Sequence, residues 1–214
     1  METSLEVRWF ISGIPPALTK RWFRSESPGK SLEDEPETRE DLYACRTPEE
    51  IAKFSAIAVD TTSKIAINLK LRERSLELKL RRRKLGQQRF GNLQNSAVWL
   101  GNVEQWNKFT ERELIDFGFS ISNLIPETNW IPVSKKREQK VERGVKSELT
   151  WLRINGSRWW SIAFEMTQDS NDAQQDNYFT TVINRYCQNY YGPELSAKNS
   201  YSYSRWLLEI SSNK

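Results

Sequence analysis

The side chains with chemistry to offer are carboxylates and long-chain bases set at alternate positions. From Lys70 to Arg81 the chain reads KLRERSLELKLR. In an extended chain Lys70 and Arg72 share one face, and Glu77, Lys79 and Arg81 share one face of the following segment. Bases spaced this way hold phosphate oxygens through charge-assisted hydrogen bonds, and a carboxylate among them holds a base or a hard cation. A second set lies in ELTWLRINGSRWWSIAFE, from Glu148 to Glu165. Asn155–Gly156 is a two-residue hairpin signal, which sets Thr150 opposite Ser161, Glu148 opposite Ala163 and Lys146 opposite Glu165. Glu148 and Glu165 become diagonal neighbours on one polar face, roughly 7–8 Å apart at the backbone, so both can turn toward one cation or one lysine.

Other chemistries are excluded. The 214 residues contain no histidine, which removes His-based acid–base catalysis, His-containing triads and His-ligated metal sites. Catalysis is left to carboxylates, Lys, Tyr, Ser or an oxygen-ligated ion such as Mg²⁺ or Mn²⁺. The two cysteines, Cys45 and Cys187, form neither a CxxC pair nor a disulfide framework and read as packing residues of a cytoplasmic protein. The start METSLEVRWF lacks a basic region followed by an apolar run, and no stretch approaches the ~20 apolar residues of a membrane span.

Net charge is only +4, yet it is unevenly spread. Lys64–Lys84 carries nine bases and two acids, Lys135–Lys146 six bases and two acids, and Ser25–Glu40 six acids and two bases. Local basic runs on a nearly neutral chain favour a small anionic partner over a general nucleic-acid binder.

The elements that must carry these groups are mostly strands. SLEVRWFIS puts Glu6 and Arg8 on one face and Leu5, Val7, Trp9 and Ile11 on the other. Further strands are expected at DLYAC, KIAINLKLR, SLELKLR, SAVWLG, WIPVSKKREQKV and the two arms of the Asn155–Gly156 hairpin, with a tight turn near Glu73–Arg74. Helices are expected at ALTKRWF, after the capping residues Thr47, Pro48 and Glu50, at NVEQWNKF (Asn102 with Gln105) and at TERELIDF (Thr110 with Glu113). YFTTVINRYCQNYY places Phe179, Val182, Ile183, Tyr186, Cys187 and Tyr190 at helical spacing, and SYSYSRWLLEI adds a last helix. Residues 25–40 and 168–177 read as loops within one domain spanning 1–214. Two architectures suit strands with one charged and one apolar face. One is an open antiparallel sheet with a wet face; the other is a closed barrel with a charged lumen and helices over its apolar wall.

These segments, in this order, resemble the CYTH superfamily, the triphosphate tunnel metalloenzymes. EVRWFISGIPP is similar to the N-terminal acidic strand, TREDLYA to a strand carrying Arg and Tyr after a long loop, and INLKLRERSLELKLR to the paired basic strands. VSKKR is similar to a later basic strand and ELTWLRINGSRWWSIAFE to the late acidic hairpin. The resemblance implies an α+β fold: an antiparallel eight-stranded β-barrel tunnel with flanking helices. It further implies a lumen that binds a triphosphate, polyphosphate or phosphorylated small molecule. Carried onto this sequence, Arg8, Lys70, Arg72, Lys79, Arg81 and Lys136 or Arg137 bind substrate, and Glu6, Glu148 and Glu165 hold Mg²⁺ or Mn²⁺. Glu77, Glu148 and Glu165 serve catalysis in the same scheme. The first strand departs from the family's Glu-x-Glu-x-Lys: here the positions are Glu6, Arg8 and Phe10, a base and an aromatic ring in place of an acid and a lysine.

Three functions fit this reading: a metal-dependent triphosphate hydrolase, a polyanion binder without turnover, and a single-stranded nucleic-acid binder. The third is disfavoured because the bases on SLELKLR alternate with leucines rather than with aromatic rings on which nucleobases stack.

Overall fold

Period-two alternation runs through much of the chain, and the described residues form nine strands. The computed structural model describes residues 2–44, 66–73, 75–91, 97–125, 128–168 and 173–212. The strands are β1 (Glu2–Ser12), β2 (Lys30–Ser31), β3 (Glu37–Ala44), β4 (Ile67–Arg72), β5 (Ser75–Phe90), β6 (Trp99–Thr110), β7 (Ile131–Glu142), β8 (Val145–Ile154) and β9 (Ser157–Gln168). The pairing order β7-β3-β4-β5-β6-β1-β9-β8 closes on itself through β7–β8, giving an eight-stranded antiparallel barrel, while β2 adds to β7 outside the ring. Closure leaves the eight strands no free edge. The fold class expected from the sequence is the one observed.

Apolar outer faces explain the helices. Leu5, Val7, Trp9, Val103, Leu149, Ile162 and Phe164 form the outer wall of β1, β6, β8 and β9. They are sealed by Trp22 and Phe23, which follow helix α1 (Ala17–Arg21), and by Phe179, Val182, Ile183 and Tyr186 of α4 (Ala173–Tyr186). On the other side Leu69, Leu76 and Leu78 pack against Leu114 of α2 (Glu111–Asp116) and Phe119, which precedes α3 (Ile121–Leu124). Each fully buried side chain of this size contributes about 1.5–3 kcal/mol.

The last helix, α5 (Tyr203–Ser212), does something different. Its Tyr203, Trp206 and Leu207 join Phe10, Tyr43, Val133, Leu152 and Ile154, residues on the inward faces of their strands. Phe10 stacks on Trp206 with ring centroids 4.7 Å apart and lies edge-on to Tyr203 at 5.1 Å. One end of the barrel is therefore stoppered by aromatic rings.

Several expectations are corrected. Residues 102–108 are strand, not helix. Their alternation lets Glu104 and Trp106 face inward between β5 and β1, and ladders on both sides outweigh the local capping signal. Asn102 is no cap; its amide groups donate to the Ser200 hydroxyl at 2.8 Å and the Ser200 carbonyl at 2.7 Å. The capping box at Thr110 and Glu113 does form. Strand β3 takes residues 37–40 out of the expected acidic loop, and β2 occupies part of it. Helix α4 begins at Ala173, inside the expected second loop. Strand β5 continues past Arg82–Lys84 to Phe90 with register shifts at Arg81/Arg83 and Lys84/Gly86. The hairpin register matches the expectation at every pair, from Ile154–Ser157 to Lys146–Glu165, and Asn155 and Gly156 adopt φ 48° and 79°, the left-handed pair of a type I′ turn. The helix expected after Thr47, Cys45 itself and Arg74 of the expected turn lie outside the described residues.

Candidate functional site

The inward faces of all eight barrel strands supply one continuous charged lining. Nine bases (Arg8, Arg39, Lys70, Arg72, Lys79, Arg81, Lys108, Lys135, Arg137) meet seven acids (Glu6, Glu37, Asp41, Glu77, Glu104, Glu148, Glu165) in ion pairs across the lumen. Period-two geometry puts them there, and closure of the sheet turns one face of every strand toward a common axis.

Next to the aromatic stopper, Lys135 donates to Asp41 at 2.9 Å and to the Tyr43 hydroxyl, and its ammonium lies 4.2 Å from the Tyr203 ring centroid. Arg8 lies over the same ring at 4.8 Å and donates to Glu148 at 2.8 Å. Glu148 also accepts from Arg137 at 3.2 Å and from the Thr150 hydroxyl at 2.6 Å. Burial alone would raise the Glu148 pKa, but Arg8, Arg137 and Thr150 hold it well below the usual carboxylate range. Further along, Lys79 bridges Glu6 at 2.5 Å and Glu165 at 3.2 Å, and Arg81 holds Glu104 at 3.0 Å.

Toward the mouth Lys108 holds Glu77 at 3.2 Å, Lys70, the register partner of Tyr43, reaches the same acid at 2.8 Å, and Arg39, Arg72 and Arg137 share Glu37. The Arg72 side chain is 40% exposed and that of Lys108 30%, so these are the bases a ligand meets first. Burial lowers the Lys70 pKa to about 8 against the pull of Glu77. Glu77 itself is driven down to about 2 because Lys70 and Lys108 overcome its own burial. The pair is charged at neutral pH.

Free space is distributed unevenly. Only about 30 Å³ remains around Glu6, Arg8, Lys79 and Glu104, room for one or two waters. A cavity of about 330 Å³ lies between residues 31–36 and residues 136–140 of β7, lined largely by outer-face side chains of that strand together with Phe23 and Arg24.

A closed antiparallel barrel whose inner wall is ion-paired Lys, Arg and Glu, with its apolar wall turned outward under helices, is a tunnel. This is the closed eight-stranded antiparallel barrel that the resemblance in the sequence implied. No protein-family model matches the chain, and no curated protein matches it. Solved structures similar to it include a conserved hypothetical protein from Pyrococcus furiosus (TM-score 0.47, 10% identity, covering 94% of this chain and 98% of that one). Others are a candidate adenylate cyclase from Bacillus halodurans (TM-score 0.40, 11% identity, 86% and 89%) and an RNA triphosphatase from S. pombe (TM-score 0.42, 10% identity, 88% and 86%).

Within the tunnel, Arg8, Lys70, Arg72, Lys79, Arg81 and Arg137 all face the lumen, as do Glu6, Glu77, Glu148 and Glu165. Lys136 does not: it lies on the outer face of β7, exposed, while its neighbours Lys135 and Arg137 point in. The two late acids are diagonal as the hairpin required, but they do not converge. Glu165 goes to Lys79, and Glu148 to Arg8 and Arg137. Among the described residues no group of acids is arranged to hold a metal ion. Each of Glu6, Glu148 and Glu165 already holds a base, so the donor set present does not fit a divalent cation. Sequence reasoning did not assign roles to Glu37, Arg39 and Asp41 of β3, to Glu104 and Lys108 of β6, or to Lys135. The first five sat in segments read as loop, short strand or helix. Alternation put Lys135 on one face with Arg137, but which face of β7 points inward is set by its pairing with β8, where Arg137 stands opposite Thr150.

Proposed function

We propose that the lumen binds a small polyanion, a short phosphate chain or a phosphorylated small molecule, entering by the open mouth. The observation that supports this most is the convergence of basic side chains from many strands on one axis, in excess over the acids that neutralise them. The first contacts are Arg72, Lys108 and Arg137. A phosphate chain would take these bases from Glu37 and Glu77, exchanging carboxylate for phosphate as the acceptor of the same charge-assisted bonds. The aromatic stopper at the other end makes the site blind, so a ligand enters end-on rather than threading through. A threaded nucleic acid fits this poorly.

The test is thermal unfolding with tripolyphosphate, ATP, pyrophosphate and sulfate, with phosphate release followed in parallel. Tripolyphosphate is expected to stabilise the protein saturably, by about 2.7 kcal/mol at a hundred times Kd. Arg72→Ala with Lys108→Ala is expected to weaken it at least tenfold, since a hydrogen bond to a charged group contributes about 1.5–3 kcal/mol. An unfolding temperature indifferent to all four anions would sink the reading. Phosphate release would add hydrolysis to binding, with Glu77, Glu148 and Glu165 as the carboxylates to substitute next.

A further inference from the structure

The acids of the lumen are less simply explained than the bases. Glu6 of β1 is the direct register partner of Glu104 on β6 and of Glu165 on β9, so three carboxylates stand abreast on three adjacent strands. Directly opposed side chains have their β-carbons about 4.5–5.5 Å apart, and like charges there repel. Such a row needs a cation, and several carboxylate oxygens on one wall are what a hard divalent ion takes.

Here the chain supplies its own. Lys79 reaches across from β5 and sets its ammonium 2.5 Å from Glu6 and 3.2 Å from Glu165. Two residues on, Arg81 holds Glu104 at 3.0 Å. The Lys79 side chain is only 14% exposed, and an ammonium offers three donors, enough to span two carboxylates. An added divalent ion would have to displace Lys79 and sit close to Arg8, with strong repulsion in a lumen that holds little water. Arg8, standing two residues from Glu6, removes a further acid by pairing with Glu148.

We infer that Lys79 is a tethered replacement for a metal ion. It occupies the cation seat between Glu6 and Glu165, and the lumen binds its anion without a divalent cation. This rests on the polyanion reading for its consequence, but not for the seat itself.

The experiment has two arms. In the first, free Mn²⁺ is followed by electron paramagnetic resonance as it is titrated into the full chain and into Lys79→Met. The unsubstituted protein is expected to take up no Mn²⁺ at ~0.1 mM free ion, and Lys79→Met to gain one site per chain at least tenfold tighter than any in the parent. Adding Glu165→Gln to that variant should remove it. A saturable one-per-chain Mn²⁺ site in the unsubstituted protein overturns the inference, and so does a folded Lys79→Met that gains none. If Lys79→Met does not fold, the unsubstituted protein decides. In the second arm, tripolyphosphate binding is measured in EDTA and in Mn²⁺. Equal binding supports the inference. Binding that needs Mn²⁺ overturns it and leaves the polyanion reading standing. No binding in either buffer overturns the polyanion reading, and the Mn²⁺ titration then judges Lys79 alone.

Discussion

Glu148 shows how much one lumen residue can carry. It is buried, accepts from two arginines and a threonine, and is held far below its ordinary pKa by them. Replacing it with Gln leaves the shape and removes the charge, so Arg8 loses its carboxylate and Arg137 keeps only Glu37. Breaking one side of such a buried pair costs about 3–5 kcal/mol. Glu148→Gln is expected to fall near the lower figure in urea unfolding, and a loss below ~1 kcal/mol would class the pair with exposed ones. Glu77 is one of several lowered carboxylates, with Glu148, Asp41 and Glu37, that shape the acid limb of stability. Its native pKa of about 2 lies below the ordinary value of 4.5, so its contribution is present above pH 4.5 and is lost as pH falls toward 2. The amount is about 3 kcal/mol. Lys70 and Lys135, lowered by burial from 10.5 to about 8, carry a penalty at neutral pH that is relieved as pH rises, the same sign of pH dependence in a higher window. The unfolded chain holds their protons more tightly, so this contribution rises with pH from 8 to 10.5. A stability profile from urea midpoints across pH checks both limbs, and Glu77→Gln should reduce the slope of the acid one without abolishing it.

At the scale of elements, the contrast between β6 and the hairpin is instructive. The β8–β9 register was legible because Asn155–Gly156 fixes the turn and the period of two fixes everything after it. The β6 segment carries a helix cap spacing, and what makes it a strand is its pair of neighbours, β5 and β1, which are remote in sequence. Helix α5 was legible as a helix, yet its place was not, because an apolar face does not name its partner. That place is testable. Trp206 is fully buried, stacked on Phe10 and edge-on to Trp159 at 6.0 Å. Trp206→Ala is expected to cost about 3–5 kcal/mol in urea unfolding. It should also open the stoppered end to an apolar dye; unchanged stability without dye uptake would contradict the stopper.

At the scale of the molecule, the barrel has one closed end, one open mouth and a lumen whose described bases outnumber its acids, nine to seven. Much of the interior is ion pairs rather than apolar packing, and buried pairs of this kind contribute little net stability against well-packed hydrophobic residues. On the polyanion reading proposed above, these pairs serve ligand exchange rather than folding energy. Binding at the mouth should then depend on salt. Arg72 and Lys108 are within reach of solvent ions, where screening acts over about 8–10 Å, so the tripolyphosphate affinity is expected to drop as NaCl rises from 0.05 to ~0.5 M. Among the described residues no helix is long and apolar enough to cross a membrane.

The amino-acid sequence by itself determined which side chains share a face. Alternation placed Glu6 with Arg8, Lys70 with Arg72, and Glu77 with Lys79 and Arg81, and the absence of histidine confined the chemistry to carboxylates and bases. Those are local properties, set by backbone period and residue type. Tertiary structure alone decided which acid meets which base, that Lys135 faces in and Lys136 out, and that α5 closes one end. Pairing across a closed barrel depends on strands brought together from far along the chain. In a buried lumen the nearest opposite charge wins: Lys79 from β5, not a neighbour in sequence, settles between Glu6 and Glu165.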